Sequence, residues 1–317
     1  MTRHLLDLDD LSCAELHHVL ALAQRPVADT PPALAGRGAA LVFEKPSART
    51  RSSSELAVVA LGGHPVYIQG PEVGIDSRES AEDVARTLAC YHAVICARVL
   101  DHDVLVRMAD ALEGSAVPVV NLLSDRAHPC QVVGDLLTLR QVFGDDLAGR
   151  TLAYVGDANN VWRSLAVGTS MLGMAMRSAA PDGFGPDPDE LARLSGLGAE
   201  IEVTADPVEA VAGADVLYTD VWTSMGQEGE ADLRAAAFAG FTVDDDLVAR
   251  AGPDAVVLHC LPAHRGEEIS AAVLDGPRSR VWPQAANRYH AMRGILAWIL
   301  GEPGPAGGVG PAGEPRS

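Results

Sequence analysis

Short apolar runs alternate with segments of helical spacing along this chain, and the alternation begins afresh near its middle. Apolar residues recurring at helical period over 11–23 predict an amphipathic helix. The run Ala39-Ala40-Leu41-Val42-Phe43 is too short for a helix and reads as a buried strand. Helical spacing returns over 51–61 and stops at Gly62-Gly63. Strands over 66–68, 93–97 and 117–121 then alternate with helices over 79–91 and 102–113. A long helix over 131–143 separates this series from a second one. The second has strands over 151–156, 200–203, 216–219 and 256–259, a helix over 161–173, a Gly/Pro/Asp loop over 181–189 and a last helix over 287–300. Strands that alternate with helices pair in parallel, because each crossover must carry the chain back over one face of the sheet. The expected fold is α/β: two similar domains, each a parallel sheet flanked by helices, linked by interdomain helices. A small-molecule site belongs between the halves, at the carboxyl ends of the strands. Residues 301–317 are rich in Gly and Pro and read as a disordered tail.

Charge bounds what such a cleft can bind. Asp and Glu number 43 against 24 Lys and Arg, a formal net charge of -19 at pH 7, and only 4% of residues are aromatic. A nucleic-acid binder needs a basic stripe or stacking platforms, and an anionic membrane needs a basic face. Neither is present in the sequence, so partners of both kinds are excluded. No apolar run reaches the ~18–20 residues of a membrane span, and the first residues, Met1-Thr2-Arg3-His4-Leu5-Leu6-Asp7, lack the apolar stretch of a signal peptide. Cysteines 13, 90, 96, 130 and 260 are odd in number and widely spaced, which fits neither a disulfide framework nor a zinc site. The expectation is a cytoplasmic protein.

Four constellations carry chemistry. In Phe43-Glu44-Lys45-Pro46-Ser47-Ala48-Arg49-Thr50-Arg51 a strand runs into a helix whose first turn holds hydroxyls and guanidinium groups. Unpaired backbone N–H groups at a helix start attract an oxyanion, and Arg supplies a fork matched to phosphate. The plain alternative is a Ser cap beside two surface arginines; Arg-Thr-Arg at a strand-to-helix turn favours the anion. His128-Pro129-Cys130-Gln131, followed by Asp135, puts His and Gln on one helical face, where they can present a proton donor and an amide to one substrate. Such a His alone is more often a capping or core residue. Asp220-Val221-Trp222-Thr223-Ser224-Met225-Gly226 follows an apolar strand. A carboxylate there, with Ser and backbone amides beyond it, suits an amino acid's ammonium and carboxylate, although a polar turn looks the same. His259-Cys260-Leu261-Pro262-Ala263-His264 also ends a strand. As a zinc site it lacks a convincing fourth ligand, and as a Cys–His nucleophile pair it competes with the ordinary packing cysteine. Gly156-Asp157-Ala158-Asn159-Asn160 has one glycine where a dinucleotide loop needs three, so nucleotide binding is rejected.

Taken in order, Ser-x-Arg-Thr-Arg, His-Pro-x-Gln, Asp-x-x-x-Ser-Met-Gly and His-Cys-Leu-Pro resemble the carbamoyltransferases of the aspartate/ornithine family, the ornithine branch above all. The resemblance runs from about residue 3 to 300. It implies a carbamoyl-phosphate domain over 1–142, completed by the helix 287–300, and an amino-acid domain over 143–286. It implies a carbamoyl-phosphate set of Ser47, Arg49, Thr50, Arg98, His128, Gln131, Cys260, Leu261 and Arg288, with the outer Arg51 assigned more to structure than to contact. It implies an ornithine set of Asn160, Asp220, Ser224 and Met225, and catalytic roles for Arg98, His128, Asp220 and Cys260. It further implies a homotrimer, a place in arginine biosynthesis, and no metal or organic cofactor. The expected reaction moves the carbamoyl group of carbamoyl phosphate to ornithine, giving citrulline and phosphate.

Three positions depart from the family pattern. Ala48 stands where the family usually has Thr, which removes one phosphate hydroxyl. Gly74, in the segment 73–80, occupies the position from which the ornithine branch lends a Gln to the neighbouring subunit, leaving Ser77 or Arg78 as replacements. Trp162-Arg163, just after Asn160, puts bulk and charge close to the amino-acid site. These departures motivate a second reading, a paralogue that carbamoylates another diamino acid or a diamine. A relative that binds without turnover is disfavoured, because the residues aimed at the carbonyl all remain.

Overall fold

The computed structural model describes residues 2–223 and 228–301, with Glu228 described by its backbone alone. Among them, two parallel sheets form the framework. β1 (Gly38–Phe43), β2 (His64–Gln69), β3 (His92–Arg98) and β4 (Val119–Leu123) lie in the order β2-β1-β3-β4. β5 (Thr151–Val155), β6 (Ala175–Ala179), β7 (Ile201–Thr204), β8 (Val216–Thr219) and β9 (Val256–His259) lie in the order β7-β6-β5-β8-β9. The two-sheet α/β expectation therefore holds. β6 is the strand the sequence reading lacks. It has no β-branched residue and carries Arg177 at its centre, so its local signal is weak. It extends because both of its edges pair, with β5 and β7, and because Met176, Ser178 and Ala179 are buried.

The helices are α1 (Cys13–Gln24), α2 (Ala48–Ala60), α3 (Gly70–Val73), α4 (Ala81–Ala89), α5 (His102–Ala111), α6 (Pro129–Phe143), α7 (Asn160–Met171), α8 (Pro188–Gly196), α9 (Pro207–Val211), α10 (Ala231–Ala237), α11 (Asp245–Val248), α12 (Ala271–Leu274) and α13 (Val281–Leu300). Most starts are capped by a side chain: Ser12 and Glu15 form a reciprocal box on α1, and Ser47, Ser80, Asp101 and Asn159 cap α2, α4, α5 and α7. α8 begins inside the expected 181–189 loop. Its cap Asp187 and first-turn Pro188 are helix-start signals that the Gly/Pro content masked. α13 starts six residues earlier than expected, at Val281 rather than 287.

One apolar core joins the halves. It runs from Leu41 of β1 through Leu20 of α1, Leu136 of α6, Leu165 of α7 and Ile295 of α13 to Leu152 of β5. Each fully buried side chain of this size contributes about 1.5–3 kcal/mol. α6 and α7 meet closely at Gly168, where a Cβ would lie 2.8 Å from Val132 Cγ1. No helix among the described residues is long and apolar enough to cross a membrane. The tail expected over 301–317 lies, beyond Gly301, outside the described residues.

In each sheet the chain first builds to one side and then crosses to the other. The reversals fall between β1 and β3 and between β5 and β8. Adjacent loops diverge at such points and leave a crevice at the strand carboxyl ends. The two crevices share one cleft.

Candidate active site

The cleft holds about 730 Å³ and is lined by loops after β1, β3 and β4 on one side and after β5, β8 and β9 on the other. It brings together Ser47, Arg49, Thr50, Arg98, His128, Gln131, Asn160, Asp220, Cys260, Leu261 and Arg288. Lys45 and Ala48 line it as well. Ser224 and Met225 lie outside the described residues.

The first end is cationic. The Ser47 hydroxyl accepts the Thr50 N–H at 3.3 Å, which leaves the other first-turn amides of α2 without intrahelical partners. Thr50 is buried, and its hydroxyl accepts from Arg288 Nη2 at 3.3 Å. Arg98, at the end of β3, and His128, the residue before α6, are also buried. Burial, with Arg288 and Arg49 nearby, lowers Arg98 to about 10. Burial together with Arg288, Arg98 and Arg49 pushes His128 well below the usual histidine range, so its imidazole is neutral at pH 7. Burial lowers Arg288 too. Guanidinium groups buried together in one cleft complement an anion. His128 Nδ1 and Arg288 Nε are buried without a protein partner among the described residues. Arg51 takes no part: it pairs with Glu55 at 2.9 Å and stacks 3.8 Å over Tyr67.

The other end is acidic. Asp220, after β8, is held by three donors: Cys260 Sγ–H at 2.8 Å, the Val221 N–H at 2.8 Å and Asn159 Nδ2 at 2.8 Å. Burial, then the Asp220 carboxylate, raises the Cys260 thiol well above the usual range. A protonated thiol bonded to a carboxylate is a poor nucleophile. Asn160 Nδ2 donates to the Ser124 carbonyl at 2.6 Å, tying the loop after β5 to the loop after β4. Asp157 pairs with Arg234 Nη1 at 2.8 Å, and that nitrogen also donates to the Trp222 carbonyl at 3.0 Å.

Asp220, His259 and Cys260 offer donor atoms within 4.8 Å of one another. His259 has no lone pair to give, however. Its Nδ1 accepts the Leu261 N–H at 2.8 Å, and its Nε2 faces Glu268 Oε1 at 3.0 Å. As built, these residues do not form a metal site.

The structure corrects one departure and explains another. Trp162 and Arg163 do not line the cleft. Residues two apart on a helix point roughly 200° apart, so Trp162 faces the core while Asn160 faces the cleft. Trp162 Nε1 donates to Ser178 Oγ at 2.9 Å, and Arg163 pairs with Glu190 at 2.9 Å. Gly74 ends α3 with φ 62°, and a Cβ there would lie 2.9 Å from Arg78 Cβ. The loop as built therefore selects glycine. Ser77 and Arg78 bond within it, to the Gly74 and Glu72 carbonyls.

Among the cleft residues that the sequence reading missed are Asn159, Asp157 and Arg234. Asn159 was findable as an N-cap, since its Oδ1 accepts from Val161 and Trp162 N–H groups. Arg234 has one local partner, Glu230 four residues earlier at 3.0 Å, but the contacts that place it at the cleft, with Trp222 and Asp157, lie 12 and 77 residues away and leave no local signal.

This arrangement has close relatives. Residues 3–141 match the family model for the carbamoyl-P binding domain of aspartate/ornithine carbamoyltransferase, and residues 148–299 match that for its Asp/Orn binding domain. Ornithine carbamoyltransferase of Acidothermus cellulolyticus is 49% identical, over 97% of this chain and 99% of its own length. The crystal structure of ornithine carbamoyltransferase from Thermus thermophilus superposes with a TM-score of 0.85 at 44% identity, covering 95% of this chain and all of that one. The enzyme from Pyrococcus furiosus gives a TM-score of 0.88 at 41% identity, covering 94% of this chain and 97% of its own. With two parallel sheets meeting at a cleft of cations and carboxylates, and matches along nearly its whole length, the chain belongs to the aspartate/ornithine carbamoyltransferase family.

Proposed function

We propose that this protein transfers the carbamoyl group of carbamoyl phosphate to the side-chain amine of L-ornithine, giving L-citrulline and phosphate. One observation carries the reading: a single cleft sets buried Arg98, Arg288 and neutral His128 opposite the Asp220–Cys260 pair. The phosphate goes to the α2 start with Ser47, Arg49 and Thr50, and the carbamoyl group to Arg98, His128, Gln131 and Arg288. Ornithine goes to Asn160, Asp220 and the segment holding Ser224 and Met225. In domain terms, 1–142 with helix 287–300 takes carbamoyl phosphate and 143–286 takes the amino acid.

The amine nitrogen attacks the carbonyl carbon, and negative charge grows on the carbonyl oxygen. Arg98 and a neutral His128 N–H are the donors for it. Each such donor is worth ~2.7–4 kcal/mol in the transition state. The C–O bond to phosphate then breaks, with Arg49 and the α2 amides stabilising the leaving dianion. An alkyl ammonium has a pKa of ~10.4 in water and must lose its proton first. Asp220 orients the neutral amine left when that proton passes to water, and the departing phosphate takes the second proton, which the nitrogen sheds as the C–N bond forms. Cys260 acts as a hydrogen-bond donor that fixes Asp220, and no covalent carbamoyl-enzyme forms. We further propose a homotrimer in the cytoplasm serving arginine biosynthesis.

The paralogue reading loses one of its three motives, since Trp162 and Arg163 do not face the cleft, and Ala48 lies at the phosphate end. Product formation from carbamoyl phosphate with ornithine, lysine, putrescine and diaminopropionate tests the assignment. Citrulline should form fastest; faster turnover of another amine overturns the choice of acceptor.

A further inference from the structure

Asp135 lies one helical turn beyond Gln131 on α6, is fully buried, and does not line the cleft. Its Oδ1 accepts from Gln131 Nε2 at 2.7 Å and from Gln284 Nε2 at 2.7 Å. Its Oδ2 accepts from the Tyr218 hydroxyl at 2.9 Å. Gln284 passes the order on, since its Oε1 accepts the His259 N–H at 2.9 Å, just before Cys260. Three donors from α6, α13 and β8 thus converge on one carboxylate.

The chemistry of the chain of contacts fixes an orientation. An ionised carboxylate only accepts hydrogen bonds, and a guanidinium only donates them. Gln131 lies between the two, with its amide nitrogen on Asp135 and its Oε1 accepting from Arg288 Nη1. Turning the amide over would set NH2 against guanidinium and carbonyl against carboxylate, so both contacts would fail together. The amide carbonyl of Gln131 is therefore the atom held toward Arg288. It has two lone pairs and spends one on that arginine.

We propose that Asp135 is a positioning residue that locks Gln131 with its carbonyl oxygen toward the reacting group, so that the site selects a ligand carrying an NH2 there over one carrying a carboxylate. The inference rests on the proposed function, in which Gln131 meets the carbamoyl group. A carbamoyl nitrogen donates to that oxygen, whereas a carboxylate in its place leaves two acceptors facing each other. Sites that leave a buried polar group unpaired discriminate strongly.

The test is calorimetric and does not depend on turnover. Phosphonoacetamide and phosphonoacetate share a skeleton and differ in amide against carboxylate. Their affinity ratio is read in the wild type, in Asp135→Leu and in Asp135→Asn. In Asp135→Leu the Gln131 amide loses its anchor, and the preference for the amide should fall about tenfold. Asp135→Asn still offers an oxygen to both glutamines while its NH2 turns to the Tyr218 hydroxyl, so it should keep the wild-type ratio to within about twofold. Affinity for inorganic phosphate, which reads the α2 start, should stay within about twofold throughout; a merely structural role for Asp135 would lower it along with the rest. If the leucine variant does not fold, Asp135→Ala replaces it with the same expectation. An unchanged ratio in the disrupted variant, or loss of the ratio in Asp135→Asn, overturns the inference. Failure of the wild type to carbamoylate any amine overturns the proposed function instead, and the assay with carbamoyl phosphate separates the two.

Discussion

At the α2 end of the cleft Arg98, Arg288 and His128 crowd together, and burial with the neighbouring guanidinium groups lowers the proton affinity of Arg98 and His128, whereas at the β5–β8 end Asp157 and Asp220 sit among amide, thiol and guanidinium donors. The contrast matters because the chain carries -19. The acidic end shares the sign of the whole molecule, which favours an ammonium at long range. The cationic end works against that sign and depends on contacts at hydrogen-bond distance. Long-range attraction belongs to one substrate and local recognition to the other.

The comparison can be broken most directly at Arg98. Arg98→Met should lower kcat by about 10²–10³, the usual cost of an oxyanion donor, while the ornithine KM changes far less; steady-state kinetics with each substrate varied will show whether the loss is confined to kcat. At the acidic end, Asp220→Asn removes the charge that the proposed function sets against the amine. Hydrogen bonds to charged groups are worth about 1.5–3 kcal/mol, so kcat/KM for ornithine should fall about 10- to 100-fold with the carbamoyl-phosphate KM nearly constant. An equal effect on both substrates would dissolve the division between the ends.

Two smaller effects sharpen it. His128 has a folded-state pKa below its unfolded value, so the native state takes up its proton later as pH falls. Its stabilising contribution is complete above the unfolded pKa near ~6.5 and is lost as pH drops through the folded pKa. Between those limits the wild type should lose up to ~1.4 kcal/mol per pH unit more than His128→Gln. Denaturant midpoints at about pH 7.5, 6.5 and 5.5 measure the difference; parallel curves would mean that folding does not lower the imidazole's proton affinity. Ala48→Thr should lower the carbamoyl-phosphate KM by about tenfold, through one added hydrogen bond to a charged oxygen, and leave ornithine untouched.

Much of the site was legible in the chain. Ser47-Ala48-Arg49-Thr50-Arg51 and His128-Pro129-Cys130-Gln131 are local motifs, because a helix start concentrates unpaired amides and fixes which side chains share a face. Even so, the order of residues misled at Trp162, where adjacency to Asn160 suggested proximity to substrate and helical rotation put it in the core. β6 was illegible for a different reason: its extension comes from pairing with β5 and β7.

The sequence by itself determined the alternating α/β architecture, the polar helix start with its hydroxyls and guanidinium groups, and the family, since each is written in local spacing or in motifs kept in order. Only the tertiary structure decided that Cys260 bonds to Asp220, that Arg234 holds Asp157, and that Asp135 gathers Gln131, Tyr218 and Gln284. Those contacts mostly join residues far apart in the chain, and the direction of the Gln131 amide depends on partners in two different helices. Such orientations are set when the two sheets close on one buried core, which removes the water that would otherwise satisfy each group alone.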